Sequence, residues 1–113
     1  MNILKLLHHP NGLADLRPDQ LEAQLTPPSV IIDVRTPREY ASGHIPGAIS
    51  VPLGQEQTLE SRWPVETAVV LICKTGHRSQ AAAATLLQLG YRQVSHLKGG
   101  MDAWRRAGGP TES

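Results

Sequence analysis

Val69-Val70-Leu71-Ile72-Cys73-Lys74-Thr75-Gly76-His77-Arg78-Ser79 is the stretch from which the rest of the chain can be read. Four apolar residues run into Cys73, the only cysteine. A short polar, basic and glycine-containing loop follows, and then Gln80 and an alanine run. A continuous apolar run bounded by a glycine loop reads as a strand buried on both faces, as in parallel sheets. The order is therefore strand, tight loop, helix. The thiol sits at the carboxyl end of a buried strand, facing the amino end of a helix, where ligand sites in open α/β sheets lie.

Working outward, residues 68–72 form the strand and residues 79–89 the helix. Ala81, Ala82, Ala83, Ala84, Leu86, Leu87 and Leu89 make that helix apolar nearly all round, and its alanines permit close approach to a sheet. Gly90 suits the left-handed position after the helix, with Tyr91 folding back. Upstream, residues 13–16 read as a short edge strand. Residues 18–25 read as a helix with Pro18 in its first turn and Leu21 and Leu25 on one face, ended by Thr26-Pro27-Pro28-Ser29. Val30-Ile31-Ile32-Asp33-Val34 is a second buried strand. Thr36, Pro37 and Glu39 then have capping-box spacing for a short helix, broken by Ser42-Gly43-His44-Ile45-Pro46-Gly47. Residues 48–51 form a further short strand, and residues 53–63 are irregular with one helical turn. Downstream come a strand over 93–97, the Lys98-Gly99-Gly100 loop and a helix over 101–107.

Alternating strands and helices with apolar strand cores predict an α/β sandwich of three layers, a mostly parallel sheet of about five strands with helices on both faces. The domain spans residues 13–109, with an extension over 1–12 and a tail over 110–113. Cys73, Arg35 and the Lys98 loop each follow a strand directly, so they share one rim of the sheet.

A length of 113 residues fits one domain with a real core, and 40% hydrophobic with 19% charged residues is an ordinary globular composition. The absence of Phe leaves the core to Val, Ile, Leu and Ala. A net charge of +1 gives no electrostatic case for nucleic acid or a membrane surface. One cysteine excludes an intramolecular disulfide, a multi-cysteine metal site and a resolving thiol within the chain. A lone thiol suits a reducing compartment, here the cytoplasm. The opening apolar run is too short for a signal peptide, and no stretch approaches the ~18 apolar residues of a membrane span. His8 and His9 have no third metal ligand near them in sequence, and no metal is expected.

The nucleophile in cysteine chemistry is the thiolate, so a working site must favour a negative sulfur. The loop after Cys73 has three means of doing so. Backbone N–H groups of a tight curl can converge on one anion, with Gly76 permitting the curl. The helix amino end adds partial positive charge. Lys74, His77 and Arg78 bring up to three cationic groups. A buried inert cysteine would have no use for such neighbours. Arg78 reads as an anion binder, Ser79 equally as a helix N-cap or a participant in chemistry, and Lys74 equally as an anion guide or a solvated charge. His77 reads as an exposed loop histidine before a general base.

Four pieces in order resemble the rhodanese (sulfurtransferase) family. They are Ile32-Asp33-Val34-Arg35 with Glu39-Tyr40; Gly43-His44-Ile45-Pro46-Gly47-Ala48 with Val51-Pro52; Cys73 through Ser79; and Leu97-Lys98-Gly99-Gly100 with Trp104. The likeness covers nearly the whole chain from Leu13 to Gly109 and has the length of a stand-alone single-domain member. It implies the rhodanese-like sandwich and a sulfur-transfer chemistry. Cys73 would take the outer sulfur of thiosulfate or another sulfane donor as a persulfide. Lys74, Thr75, Gly76, His77, Arg78 and Ser79 would cradle it, and cyanide or a thiol would remove it. No metal or organic cofactor is needed. Asp33 and Arg35 would hold neighbouring loops, with Arg35 a candidate rim contact to substrate. Glu39 and His44 would fix the short helix and its exit turn, and Trp104 would anchor the last helix.

Two rival readings stand beside this one. Phosphatases and arsenate reductases of a related fold also use a loop cysteine and arginine, but with one residue more between them. Here four residues separate Cys73 from Arg78, and no acid lies within the loop. The other rival is a sulfur carrier that receives persulfide from a protein in a sulfur relay, which needs the same loop.

Overall fold

The computed structural model describes residues 8–25 and 28–113. The part of the predicted extension before His8, and Thr26 and Pro27 of the predicted helix stop, lie outside the described residues.

The strand that carries the cysteine is central. Strand β4 (Val69–Ile72) pairs in parallel with β2 (Val30–Asp33) on one side and β5 (Val94–Leu97) on the other. Strand β1 (Leu13–Leu16) adds to β5 and β3 (Ile49–Ser50) to β2, giving the order β1-β5-β4-β2-β3. Every pairing within this sheet is parallel. Helices α1 (Pro18–Glu22), α2 (Pro37–Ala41), α3 (His77–Gln88) and α4 (Gly100–Arg106) surround it, with a 3-10 segment at Glu56–Ser61.

All four residues of β4 are buried, as a continuous apolar run requires. Successive side chains point to opposite faces. Val69, Leu71 and Cys73 thus join one core with Ala82, Ala83 and Leu86 of α3. Val70 and Ile72 join the other, with Leu21 of α1 and Met101 and Trp104 of α4. These two cores are the interfaces of a three-layer sandwich. Trp104 anchors α4 as expected, 1% exposed, with its indole N–H donating to the Pro110 carbonyl at 2.8 Å.

Several element ends depart from the sequence reading. Helix α3 begins at His77, not at Ser79, because Gly76 takes the N-cap position at a φ of 101°. Ser79 is therefore not an N-cap but lies in the first turn, fully buried. The end of α3 matches: Gly90 and Tyr91 donate back to the carbonyls of Leu87 and Leu86, both at 3.1 Å. Helix α1 stops at Glu22, short of Leu25. Thr36 and Glu39 form the expected reciprocal capping box of α2. The tail over 110–113 lies beside the turn after α2, where Glu112 and His44 exchange both backbone hydrogen bonds at 2.9 Å.

Arg35 corrects another expectation. It is 2% exposed, its side chain is forked onto Asp33, and it also donates to the Gly43 carbonyl at 2.8 Å. Its own backbone N–H meets the same carboxylate. A guanidinium so enclosed has no surface to offer a dissolved substrate. It bolts the exit of β2 to the turn after α2 and is not free to act as a rim contact. Taking one partner from a buried charge pair leaves the other uncompensated, at a cost of about 3–5 kcal/mol. Asp33→Ala should lower unfolding stability by that amount in urea titrations, whereas loss of an exposed, solvent-screened pair such as Arg17–Asp19 should leave the urea midpoint nearly unchanged.

Candidate active site

Cys73 is the first residue past β4, and its side chain is fully buried against the start of α3. The Gly76 backbone N–H donates to the Cys73 sulfur at 2.9 Å. The sulfur also lies 3.5 Å from the Ser79 hydroxyl oxygen. The loop is held from behind by the turn into α4. Met101 N–H donates to the Cys73 carbonyl at 2.8 Å and Asp102 N–H to that of Lys74 at 3.0 Å. This contact needs glycine at position 100, where a Cβ would lie 2.4 Å from the carbonyl oxygens of both Cys73 and Lys74. With the carbonyls turned toward α4, an amide edge is left for the sulfur.

The cationic residues of the loop are each engaged. Arg78 is forked onto Glu39, with both guanidinium N–H groups donating to the carboxylate at 2.7 and 2.9 Å. That pairing holds Glu39 at a pKa of about 2 against the opposing effect of burial, with the Thr36 amide assisting. The same pair raises Arg78 above its ordinary value. The sequence assigned Glu39 to its own helix; the structure also ties it to the amino end of α3. Lys74 pairs with Asp102 at 3.1 Å on the exposed rim. His77 is exposed, its Nδ1 3.3 Å from the Thr75 hydroxyl. It does not reach Cys73 through any hydrogen bond of the structure.

One group escaped the sequence reading. His96 of β5 is paired in register with Asp15 of β1 and Leu71 of β4. Its Nδ1 lies 2.7 Å from the Ser79 oxygen and its Nε2 2.7 Å from Asp15 Oδ1. His9 Nε2 meets the same carboxylate oxygen at 2.8 Å. Burial raises the Asp15 pKa, but the hydrogen bonds from His9 and His96 outweigh it and hold the carboxyl below its usual value. Burial lowers His96, against the pull of Asp15. His9, Asp15 and His96 offer three ligand-type atoms within 4.8 Å of one another, two from one segment near the start of the chain and the third from β5. Both imidazoles already point an Nε2 at one oxygen, so the trio is closed into a hydrogen-bonded chain. The signal available in the sequence was a histidine between Ser95 and Leu97 in a short buried strand.

Two clefts adjoin these residues. One, of about 400 Å³, is lined by His9, Asp15, Thr75, Gly76, His77 and Lys98 and opens beside the loop. A larger one, of about 640 Å³, runs along α3 and includes Val34, Pro37, Leu53, Glu56, Arg78 and Thr85. Among the described residues, no helix is long and apolar enough to cross a membrane.

Comparison with known proteins agrees with this geometry. The sequence pattern of the family described as Rhodanese-like domain matches residues 17–107. A sulfurtransferase from Allochromatium vinosum is 42% identical over 81 residues, which cover 72% of this chain and 76% of that protein. A solved protein of unknown function from Rhodopseudomonas palustris, described as a possible tyrosine phosphatase, superposes with a TM-score of 0.83 at 32% identity, covering 99% of this chain and 95% of the other. A thiosulfate sulfurtransferase from Pseudomonas aeruginosa superposes with a TM-score of 0.77 at 30% identity, covering 88% of this chain and 20% of that longer one.

The Glu39–Arg78 pair gives a pH prediction. A carboxyl at about 2 in the folded chain and near 4.5 in the unfolded chain contributes stability that is fully present above pH 4.5. That contribution is lost as pH falls from 4.5 toward 2. The difference in urea midpoint between wild type and Glu39→Gln should therefore be largest at neutral pH and shrink steadily below pH 4.5.

Proposed function

The chain belongs to the rhodanese-like domain family, and on that premise we propose that it is a sulfurtransferase whose Cys73 carries the sulfur as a persulfide. The observation that carries this reading is the Gly76 N–H aimed at the Cys73 sulfur from 2.9 Å, in a loop with four residues between Cys73 and Arg78. A backbone N–H favours the thiolate by hydrogen-bonding to the charged form. The thiolate attacks the outer sulfur of thiosulfate or of a persulfide donor. The new S–S bond forms as the donor's S–S bond breaks, and thiosulfate leaves as sulfite. Cyanide or a thiol then attacks the outer sulfur and restores Cys73. Transfer through a covalent intermediate predicts ping-pong kinetics.

The ion pairs divide the labour of the loop. Lys74 and His77 are exposed at its mouth and can draw in a small anion. Arg78, forked onto Glu39, acts first as a brace for the start of α3. The chemistry requires no metal or organic cofactor. Because the sulfur has no second cysteine to pass to, the acceptor must be another molecule, a small thiophile or a sulfur-relay protein. A single thiol that must stay reduced supports a reducing compartment such as the cytoplasm for this work.

The phosphatase description of the Rhodopseudomonas palustris relative favours a second reading. The site argues against it here. The ring from Cys73 to Arg78, with four residues between them, is one residue shorter than a loop that encloses a tetrahedral oxyanion.

Incubation with thiosulfate followed by intact-mass analysis should show the gain of one sulfur atom, absent in Cys73→Ser. No gain with thiosulfate or any persulfide donor would overturn the proposal. Rapid thiocyanate formation with cyanide marks an enzyme for small donors, and loading by a protein donor alone marks a carrier. Turnover of an aryl phosphate that Cys73→Ser abolishes would establish the phosphatase reading instead.

A further inference from the structure

The sulfur of Cys73 is the first member of a chain of polar groups that ends at the surface. Next is the Ser79 hydroxyl at 3.5 Å, then His96 at 2.7 Å, Asp15 at 2.7 Å and His9 at 2.8 Å. Exposure rises along it. Cys73 and Ser79 are 0% exposed, and the side chains of His96, Asp15 and His9 are 3%, 40% and 44% exposed. Such a chain can lead a proton from a buried atom to water.

We propose that Ser79, His96 and Asp15 form a relay that takes the proton from the Cys73 thiol, with His96 the group that holds it. This deepens the sulfur-transfer reading and rests on it for its purpose. The proton positions follow from chemistry. Ionised Asp15 has no proton to give, so His96 must present Nε2–H to it. In the neutral ring Nδ1 is then the lone-pair end, and it faces Ser79. The Ser79 O–H donates to that lone pair, leaving its oxygen to accept from the Cys73 S–H.

Transfer moves one proton at each link. The S–H bond breaks as a new O–H bond forms on Ser79, and the original Ser79 O–H breaks as N–H forms on His96 Nδ1. The products are a thiolate and an imidazolium, with no change in oxidation state. The imidazolium now donates to Ser79, whose proton can turn to the thiolate or to the Gly76 carbonyl at 3.0 Å. Asp15 faces the new positive charge directly, while Lys98, and His9 when it carries a proton, oppose it. Burial lowers the His96 pKa, which keeps the ring neutral and ready to accept at neutral pH. His96 touches no reacting atom and acts through Ser79, so it is a positioning residue. Asp15 selects its tautomer, the role an aspartate plays behind a catalytic histidine.

The test follows the rate of Cys73 alkylation by iodoacetamide from mildly acid to alkaline pH, a reaction independent of any sulfur donor. His96→Asn keeps an amide near Nδ1 but cannot take the proton, Ser79→Ala cuts the link, and Asp15→Asn, at a partly exposed position, spares the fold. At neutral pH the first two should alkylate at least about tenfold more slowly than wild type, a smaller effect than the ~100-fold or more of a base acting in a transition state. Asp15→Asn should fall between. All should converge with wild type well above the ~8.5 of a free thiol, where hydroxide removes the proton unaided. Wild-type rates in the variants at neutral pH would overturn the relay. So would a deficit of equal size at every pH, which is what a merely structural role gives, or a wild-type Cys73 that fails to alkylate at neutral pH. Sulfur loading measured by mass on the same wild-type sample separates the two proposals. A pH-dependent alkylation gap with no loading sinks sulfur transfer alone, and loading without the gap sinks the relay alone.

Discussion

Two backbone hydrogen bonds behind the loop set the terms for the rest of the molecule. The carbonyls of Cys73 and Lys74 are taken by the first amides of α4, and Gly100 makes that approach sterically possible. With the loop's acceptors facing backward, its Gly76 donor can face the sulfur. The parallel sheet serves this contact, since β4 and β5 lie side by side and bring the two loops to one rim. The apolar strands and the alanine face of α3 supply the burial that holds the layers together. A tight glycine contact thus fixes the direction of a few amides, and the amides determine what the sulfur can do.

Much of the fold was legible because it depends on local patterns. The β-branched run at Val30, Ile31 and Ile32 and the apolar run of β4 mark strands buried on both faces, and the reading of a parallel sheet followed. The capping box at Thr36 and Glu39 is a spacing rule, as is the glycine turn after α3. The start of α3 was misjudged because serine is the commoner cap. Here a positive φ at Gly76 begins the helix earlier, and Ser79 faces inward.

Distant partners were harder to read. Cys73 and its loop could be singled out from one stretch of chain. The pairing of Arg78 with Glu39 spans 39 positions and depends on how α2 meets α3. The approach of His96 to Asp15 spans 81 positions and follows from the β1–β5 register, which no local pattern announces. For Arg35 the loop-holding role agrees with the sequence reading, and only the rim contact to substrate does not, because the turn at Gly43 closes over the side chain.

The Cys73 side chain has no exposed surface, and this acts as a filter of shape. For the sulfur donors proposed above, a sulfur at the slender end, flanked by nothing on its far side, would be the shape able to enter end-on. A disulfide sulfur in the middle of a peptide has bulk on both sides and cannot. On the sulfur-transfer reading, a thiol so enclosed would favour small terminal sulfur over the disulfides of proteins.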